Sequence, residues 1–133
     1  MGLSVRVAVL MGLAPLAAQA QEFVFELPSG NIACAMTPHA TRCDIREANQ
    51  SYMTPPADCD GDYGFAFSVE PEGEGTVACV TDAIGGAEAA PVLPYGAQIA
   101  FGGVTCASAT TGVTCMNREG GGFSLRRARQ QVF

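Results

Sequence analysis

The chain has 133 residues, with seven arginines, no lysine and thirteen acids, for a formal charge of −6. So acidic a composition excludes general nucleic-acid binding, which depends on a basic face to displace counterions, and docking on anionic lipid. A single histidine and no lysine leave few of the groups that acid–base or nucleophilic catalysis draws on.

Residues 1–20 read as a targeting segment. Arg6 supplies a positive start, VAVLMGLAPLAA an apolar core, and Ala18-Gln19-Ala20 a cleavage site, so the mature chain is expected to begin at Gln21. The apolar run is too short to span a bilayer, and no second run follows. No cysteine stands at the junction to carry a lipid. The lack of lysine, with abundant Ala, Gly and Arg, fits a bacterial gene of high G+C content. Without Arg6 the balance is six arginines against thirteen acids, or −7. Residues 21–133 are then one domain, small but able to bury a core. The product is expected in the periplasm or outside the cell, as a monomer.

Phe23, Phe25 and Leu27 alternate with polar neighbours and predict a half-buried strand facing inward with those three side chains. Pro28-Ser29-Gly30-Asn31 is a turn, because Pro presets φ and Gly and Asn tolerate positive φ. Residues 32–36 and 41–45 are a strand pair around Thr37-Pro38-His39-Ala40. Residues 46–64 show no period, and Pro55-Pro56 forbids a helix, so this stretch should run extended over the surface. GFAFSVE, with Phe65, Phe67 and Val69 on one face, and TVACVT form a second hairpin around a polar turn at Glu70–Gly75. Residues 82–96 are a loop in which AEAA offers one helical turn at most. Strands follow at 97–101, 104–107, 113–117 and 122–126, separated by glycine-bearing turns. The tail ARQQVF is a helical turn or a last strand, with Val132 and Phe133 returning to the core. Short strands, Gly-rich punctuation and no amphipathic helix predict an all-β fold, a small disulfide-stapled barrel or sandwich of short antiparallel hairpins. Residues 95–133 are the most densely patterned part, and the rest is expected to pack around them.

Six cysteines in an exported chain imply a disulfide framework. Cys34 and Cys43 are nine apart, as are Cys106 and Cys115. Each pair sits where two strands flank a turn, and facing residues of a hairpin come close enough for a bridge. The pairing Cys34–Cys43, Cys106–Cys115 and, by remainder, Cys59–Cys79 follows. Zinc through four thiolates would need short Cys-x2–4-Cys knuckles, which are absent. The two Cys-x8-Cys units are a faint internal echo, read as two uses of a common device and not as a repeat.

LPSGNIACAM, RCDI, PPADCDGDYG, GGVTCASATTGVTCMN and GGGFSLRRARQQVF, in this order, resemble a family of small secreted bacterial proteins known as domain of unknown function 6636. The resemblance covers nearly all of residues 23–133 and departs from the family pattern at Leu27, Tyr63 and Val80-Thr81-Asp82. It implies a disulfide-stapled β domain of the envelope or exterior, and it implies no activity.

Few residues point to chemistry. His39 stands at a hairpin tip, away from the buried partners that a catalytic or metal-ligating histidine needs. Asp58, Asp60 and Asp62 imitate the start of a calcium loop, but Tyr63 stands where that loop needs Gly, and Val69 where it needs Glu. They read as solvated loop acids. No metal and no cofactor is expected. Arg118, Arg126, Arg127 and Arg129 gather four of the six mature arginines in one short region. Phe123 and Leu125 facing inward turn Ser124 and Arg126 outward, and such arginines hold anions through bidentate contacts. Their other expected role is pairing with the acids of Asp58–Glu74. Two functions follow as expectations. One is a non-enzymatic binding or structural module of the bacterial envelope, its partner a glycan or a protein. The other is a compact inhibitor of a hydrolase such as a lysozyme, inserting Asp58–Tyr63 or Asn117–Gly122 into a cleft.

Overall fold

The computed structural model describes Gly2, Ser4 and residues 21–84 and 90–133. The targeting segment and most of the AEAA turn lie outside the described residues. Ten strands form: β1 Phe23–Glu26, β2 Ile32–Met36, β3 Thr41–Ile45, β4 Asp62–Val69, β5 Thr76–Val80, β6 Gln98–Phe101, β7 Val104–Ala109, β8 Gly112–Asn117, β9 Gly122–Arg126 and β10 Gln130–Val132. No helix occurs among the described residues, and none is long and apolar enough to cross a membrane. The tail is therefore a strand.

The strands make two antiparallel meanders of five, in the orders β1-β2-β3-β4-β5 and β10-β9-β8-β7-β6. The sheets are not closed on one another, so the fold is a sandwich and not a barrel. Alternation in each strand supplies the core: Phe25, Ile32, Cys34, Met36, Ile45, Phe67 and Val69 from the first sheet meet Val104, Cys106, Val113, Cys115, Phe123 and Leu125 from the second. Each such side chain contributes roughly 1.5–3 kcal/mol by leaving water. Phe67 and Phe123 face each other across the sandwich, ring centroids 6.2 Å apart.

All three disulfides form as spacing indicated, and no cysteine is free. Cys34 opposes Cys43, and Cys106 opposes Cys115. Their Cα atoms are 4.1 and 4.0 Å apart, the close approach of a non-hydrogen-bonded pair. These two bridges are fully buried and meet at the centre, with Cys43 Sγ 3.7 Å from Cys115 Sγ.

The sulfur contact marks a deeper correspondence. Cys43 opposes Phe67, and Cys115 opposes Phe123; Cys34 opposes Phe25, and Cys106 opposes Ile99. With these registers β1–β5 and β6–β10 are two copies of one meander, and FSVE at residues 67–70 matches FSLR at 123–126. The faint echo in the cysteines is thus a structural repeat, hidden because few positions outside the core agree. Residues 95–133 are accordingly one half of a pair, not the centre of the molecule.

Two inward assignments change. Phe23 is 46% exposed and stacks edge-on against Phe101 at 4.7 Å, where the edge strands β1 and β6 meet. Phe133 is also exposed, and it is Val132 that packs on the core.

Candidate functional site

The way the two sheets stack decides where function can sit. At one end Gly102 lies against Thr37 and Pro38. There the buried Asn117 donates Nδ2 to the carbonyls of Glu70 and Gly73 at 3.0 and 2.7 Å. Its Oδ1 accepts from the N–H groups of Glu119 and Gly121, both at 3.0 Å. Residues 37–40, 70–75, 102–103 and 118–121 thus interlock as a turn end of short tight connections. The opposite end carries residues 27–31, the long connection 46–61 and the described parts of 81–97, with the tips at 110–111 and 127–129. Binding groups concentrate on loops held by such a rigid scaffold.

Each loop has a structural reason for its course. In 27–30 the Gly30 N–H donates to Leu27 O at 2.9 Å, and the Leu27 N–H to Ile32 O at 3.0 Å; Gly30 takes the φ of +74° that closes the turn. Asn31 then pairs with the next loop as a peptide would: Nδ2 donates to Glu47 O at 3.0 Å, and Oδ1 accepts from Glu47 N–H at 2.8 Å. Residues 46–53 cross to the second sheet. The Asn49 N–H donates to Arg127 O, Ser51 exchanges two hydrogen bonds with the buried Gln130, and the Tyr52 hydroxyl accepts from Val132 N–H. The aperiodic stretch runs without helix or strand over residues 46–61, but its last three residues, Asp62 to Gly64, already belong to β4; Cys59–Cys79 ties its far end to β5. Finally, the described residues on either side of 85–89 lie against the first sheet, Asp82 and Ile84 on its outer face and Pro91 and Leu93 at the edge of β1. Asp44, buried on the outer face, accepts from Arg42 Nε and Nη2 at 2.9 and 2.8 Å and from Ile84 N–H at 2.7 Å. At the edge of β1, Leu93 N–H donates to Glu26 O.

Between these loops lies a two-lobed cleft. One lobe, of about 180 Å³, is floored by Leu27 and Ile32 and walled by Tyr95, Ala109–Gly112 and Arg127. The second, of about 280 Å³, lies between Ser29–Asn31, Arg46, Glu47 and Arg127. Ser29, Asn31 and Arg127 line both. Arg127 Nη2 reaches Glu47 Oε2 at 2.7 Å, and Arg46 Nη2 reaches Glu26 Oε1 at 2.9 Å.

The four sequence-picked arginines divide. Arg126, Arg127 and Arg129 are all exposed on the tip of the β9–β10 hairpin, which Arg126 and Arg129 close by exchanging backbone hydrogen bonds of 2.9 and 3.1 Å. Arg118 is at the turn end, beside an outer-face hollow of about 370 Å³ with Phe101 and Met116. Antiparallel pairing forces this split, because the β8–β9 and β9–β10 turns leave β9 from opposite ends. The pairing with Asp58–Glu74 is also corrected. Among the described residues the ion pairs use Asp44, Glu26 and Glu47 instead. His39 is exposed in the β2–β3 turn. Asp58, Asp60 and Asp62 are exposed, and among the described residues the one cluster with metal-ligand spacing is Cys34, Cys43 and Cys115. Those sulfurs are committed to disulfides.

Residues 5–133 match the family described as a family of unknown function, DUF6636. The chain belongs to this family. No curated protein and no solved structure matches it significantly. For this DUF6636 chain, then, geometry carries the functional reasoning. Sequence pointed to Arg127 alone among the cleft residues. Tyr95, Asn31, Ser29 and Glu47 were missed because they lie in turns whose composition already had a structural explanation. Their one shared signal is that polar side chains flank every connection brought to the same end.

Proposed function

We propose that this protein is an exported, non-enzymatic binding module of the bacterial envelope, and that the loop end is its contact surface. The observation that carries the reading is the convergence of Arg127, Tyr95 and Asn31 on one cleft, beside Arg126 and Arg129. Around the cleft stand Arg46, Arg126, Arg127 and Arg129 against Glu26 and Glu47. That local excess of positive charge, in a chain of formal charge −6, favours an anionic partner. The leader-like residues 1–20 and three disulfides support export to an oxidising compartment. Binding of purified envelope polysaccharide and envelope proteins to the intact protein tests the reading. Reversing Arg126 and Arg127 to Glu is expected to abolish retention. Retention unchanged by that reversal would remove the module reading.

A second reading, inhibition of a hydrolase, draws on the turn at 118–121, which Asn117 holds rigid while Arg118 and Glu119 stay exposed. Rigid protruding loops suit tight insertion into a cleft. Flat activity curves across a panel of muramidases and proteases would eliminate it.

A further inference from the structure

The cleft is specific enough in its chemistry to name a ligand class, on the assumption that the loop end is a binding surface. Its first lobe has an apolar floor, Leu27 and Ile32, and one exposed aromatic ring, Tyr95, which is 44% accessible. Above the floor the rim is neutral and hydroxylic: Ser29, Thr110 and Thr111. Among the described residues the hydroxyls of Tyr95, Thr110 and Thr111 make no side-chain hydrogen bond, so they are free for a ligand. The amide of Asn31 is already spent on Glu47, which fixes the wall. An exposed aromatic ring above a buried apolar floor, with hydroxyls around it, matches a pyranose, whose C–H face is apolar and whose edge carries groups that both donate and accept. A peptide would instead look for an unpaired strand edge or an extended apolar groove, and neither lines this cleft.

Charge adds the second requirement. Arg127 spans both lobes and gives only one nitrogen to Glu47, leaving the rest of its fork for a planar anion. Each lobe alone is below the usual volume of a small-molecule site, roughly 300–1,000 Å³, so a bound unit extends from one lobe into the other past Arg127. We infer that the cleft binds a carboxylate-bearing sugar unit, with the ring against Tyr95 and the carboxylate on Arg127.

Titration of the intact protein with glucuronate and N-acetylmuramate, against glucose, N-acetylglucosamine and acetate, tests this through backbone amide shifts. The acidic sugars should move and saturate the amides of residues 29–31, 110–112 and 127. The neutral sugars and acetate should bind at least about tenfold more weakly. Arg127→Gln should erase the preference for acidic sugars, with Arg127→Lys restoring only part of it. Tyr95→Ala and Thr111→Val should weaken acidic and neutral sugars alike. All three positions are exposed, and an unchanged amide spectrum elsewhere verifies that each variant is folded. Equal affinity for acidic and neutral sugars, acetate binding as tightly as glucuronate, or a preference that survives Arg127→Gln would each overturn the inference. If no sugar shifts the amides while retention of envelope material still depends on Arg126 and Arg127, the sugar inference falls and the binding-module reading stands. If retention is also insensitive, both fall.

Discussion

The two halves of this molecule share a core and differ in their connections. β1–β5 and β6–β10 repeat the same meander, the same central hairpin disulfide and the same facing phenylalanine, Phe67 or Phe123. Yet Cys43 and Phe67 are separated by the long crossing loop 46–61, whereas Cys115 and Phe123 are separated only by the turn 118–121. The third disulfide, Cys59–Cys79, belongs to that extra loop and has no counterpart in the second half. Conserving the interior while lengthening one half's loops puts most of the added chain, the 46–61 loop above all, at one end of the sandwich. The cleft is there. Fold and site thus share only the buried floor of the cleft, Leu27 and Ile32, and the duplicated positions can be used to test which is which.

The largest effect is expected from the shared core. Replacing Cys34 and Cys43 together by Ala removes a buried bridge and leaves unfilled volume against Cys115, so a loss of about 3–5 kcal/mol is expected in urea unfolding. Replacing Cys59 and Cys79 should cost less, about 2 kcal/mol, and should loosen the 46–61 loop selectively in hydrogen exchange. Equal, global losses from the two pairs would show that the crossing loop is part of the folding core.

The two ends come next. At the turn end a Cβ on the buried Gly75 would lie 1.8 Å from Gly122 O, so Gly75→Ala must force the sheets apart and should cost about 2–3 kcal/mol. At the loop end Gly30 has open space around its Cβ position but a φ of +74°, so Gly30→Ala meets only local strain, about 1 kcal/mol. Thermal melts of both variants rank the ends directly. A Gly30 variant as damaging as the Gly75 variant would mean the loop end is as tightly interlocked as the turn end.

How much of this was legible beforehand depends on which of the two kinds of residue is asked about. β2, β3 and β9 were readable to the residue, because alternation over a one-sided sheet leaves a period of two and the turns carry Pro, Gly and Asn. Cysteine spacing yielded the staples because a hairpin constrains what can face what. The repeat was not readable, since outward equivalents agree at only a few small residues, such as Ser68 with Ser124 and Ala35 with Ala107; Arg42 and Thr114 are equivalents with no chemistry in common. Phe23 was misplaced inward because period-two patterning assigns a face without knowing that an edge strand meets another edge. The cleft was invisible for a different reason. Ser29, Asn31, Glu47 and Tyr95 come from three connections whose convergence is fixed only by the antiparallel stacking of the sheets, and no local pattern encodes it.

A smaller effect, of opposite sign, comes from one unequal pair of core positions. Thr41 and Val113 both stand two residues before the second cysteine of their hairpin, and both are buried. The Thr41 hydroxyl has no hydrogen-bond partner, and a buried unpartnered hydroxyl costs about 1–3 kcal/mol. Thr41→Val keeps the shape and should raise stability by about 1 kcal/mol, read as a higher urea midpoint at unchanged m-value. A loss on this substitution would show that the two positions are not equivalent in their packing.

The smallest expected effect on stability is the one that separates site from scaffold. Arg127 and Glu47 form an ion pair at 2.7 Å, but their side chains are 73% and 71% exposed, and pairs in that setting contribute about 0–1 kcal/mol. Arg127→Gln should therefore leave the melting temperature nearly unchanged at moderate salt, while retention of an anionic partner falls sharply. Arg118→Gln, at the other end, should be as silent in the melt and should leave retention intact. The two arginines came from the same short sequence region, so a difference between them reports which end of the sandwich the partner meets. Equal loss of retention in both variants would point to diffuse charge attraction over the whole second sheet, and the cleft would then have no special claim.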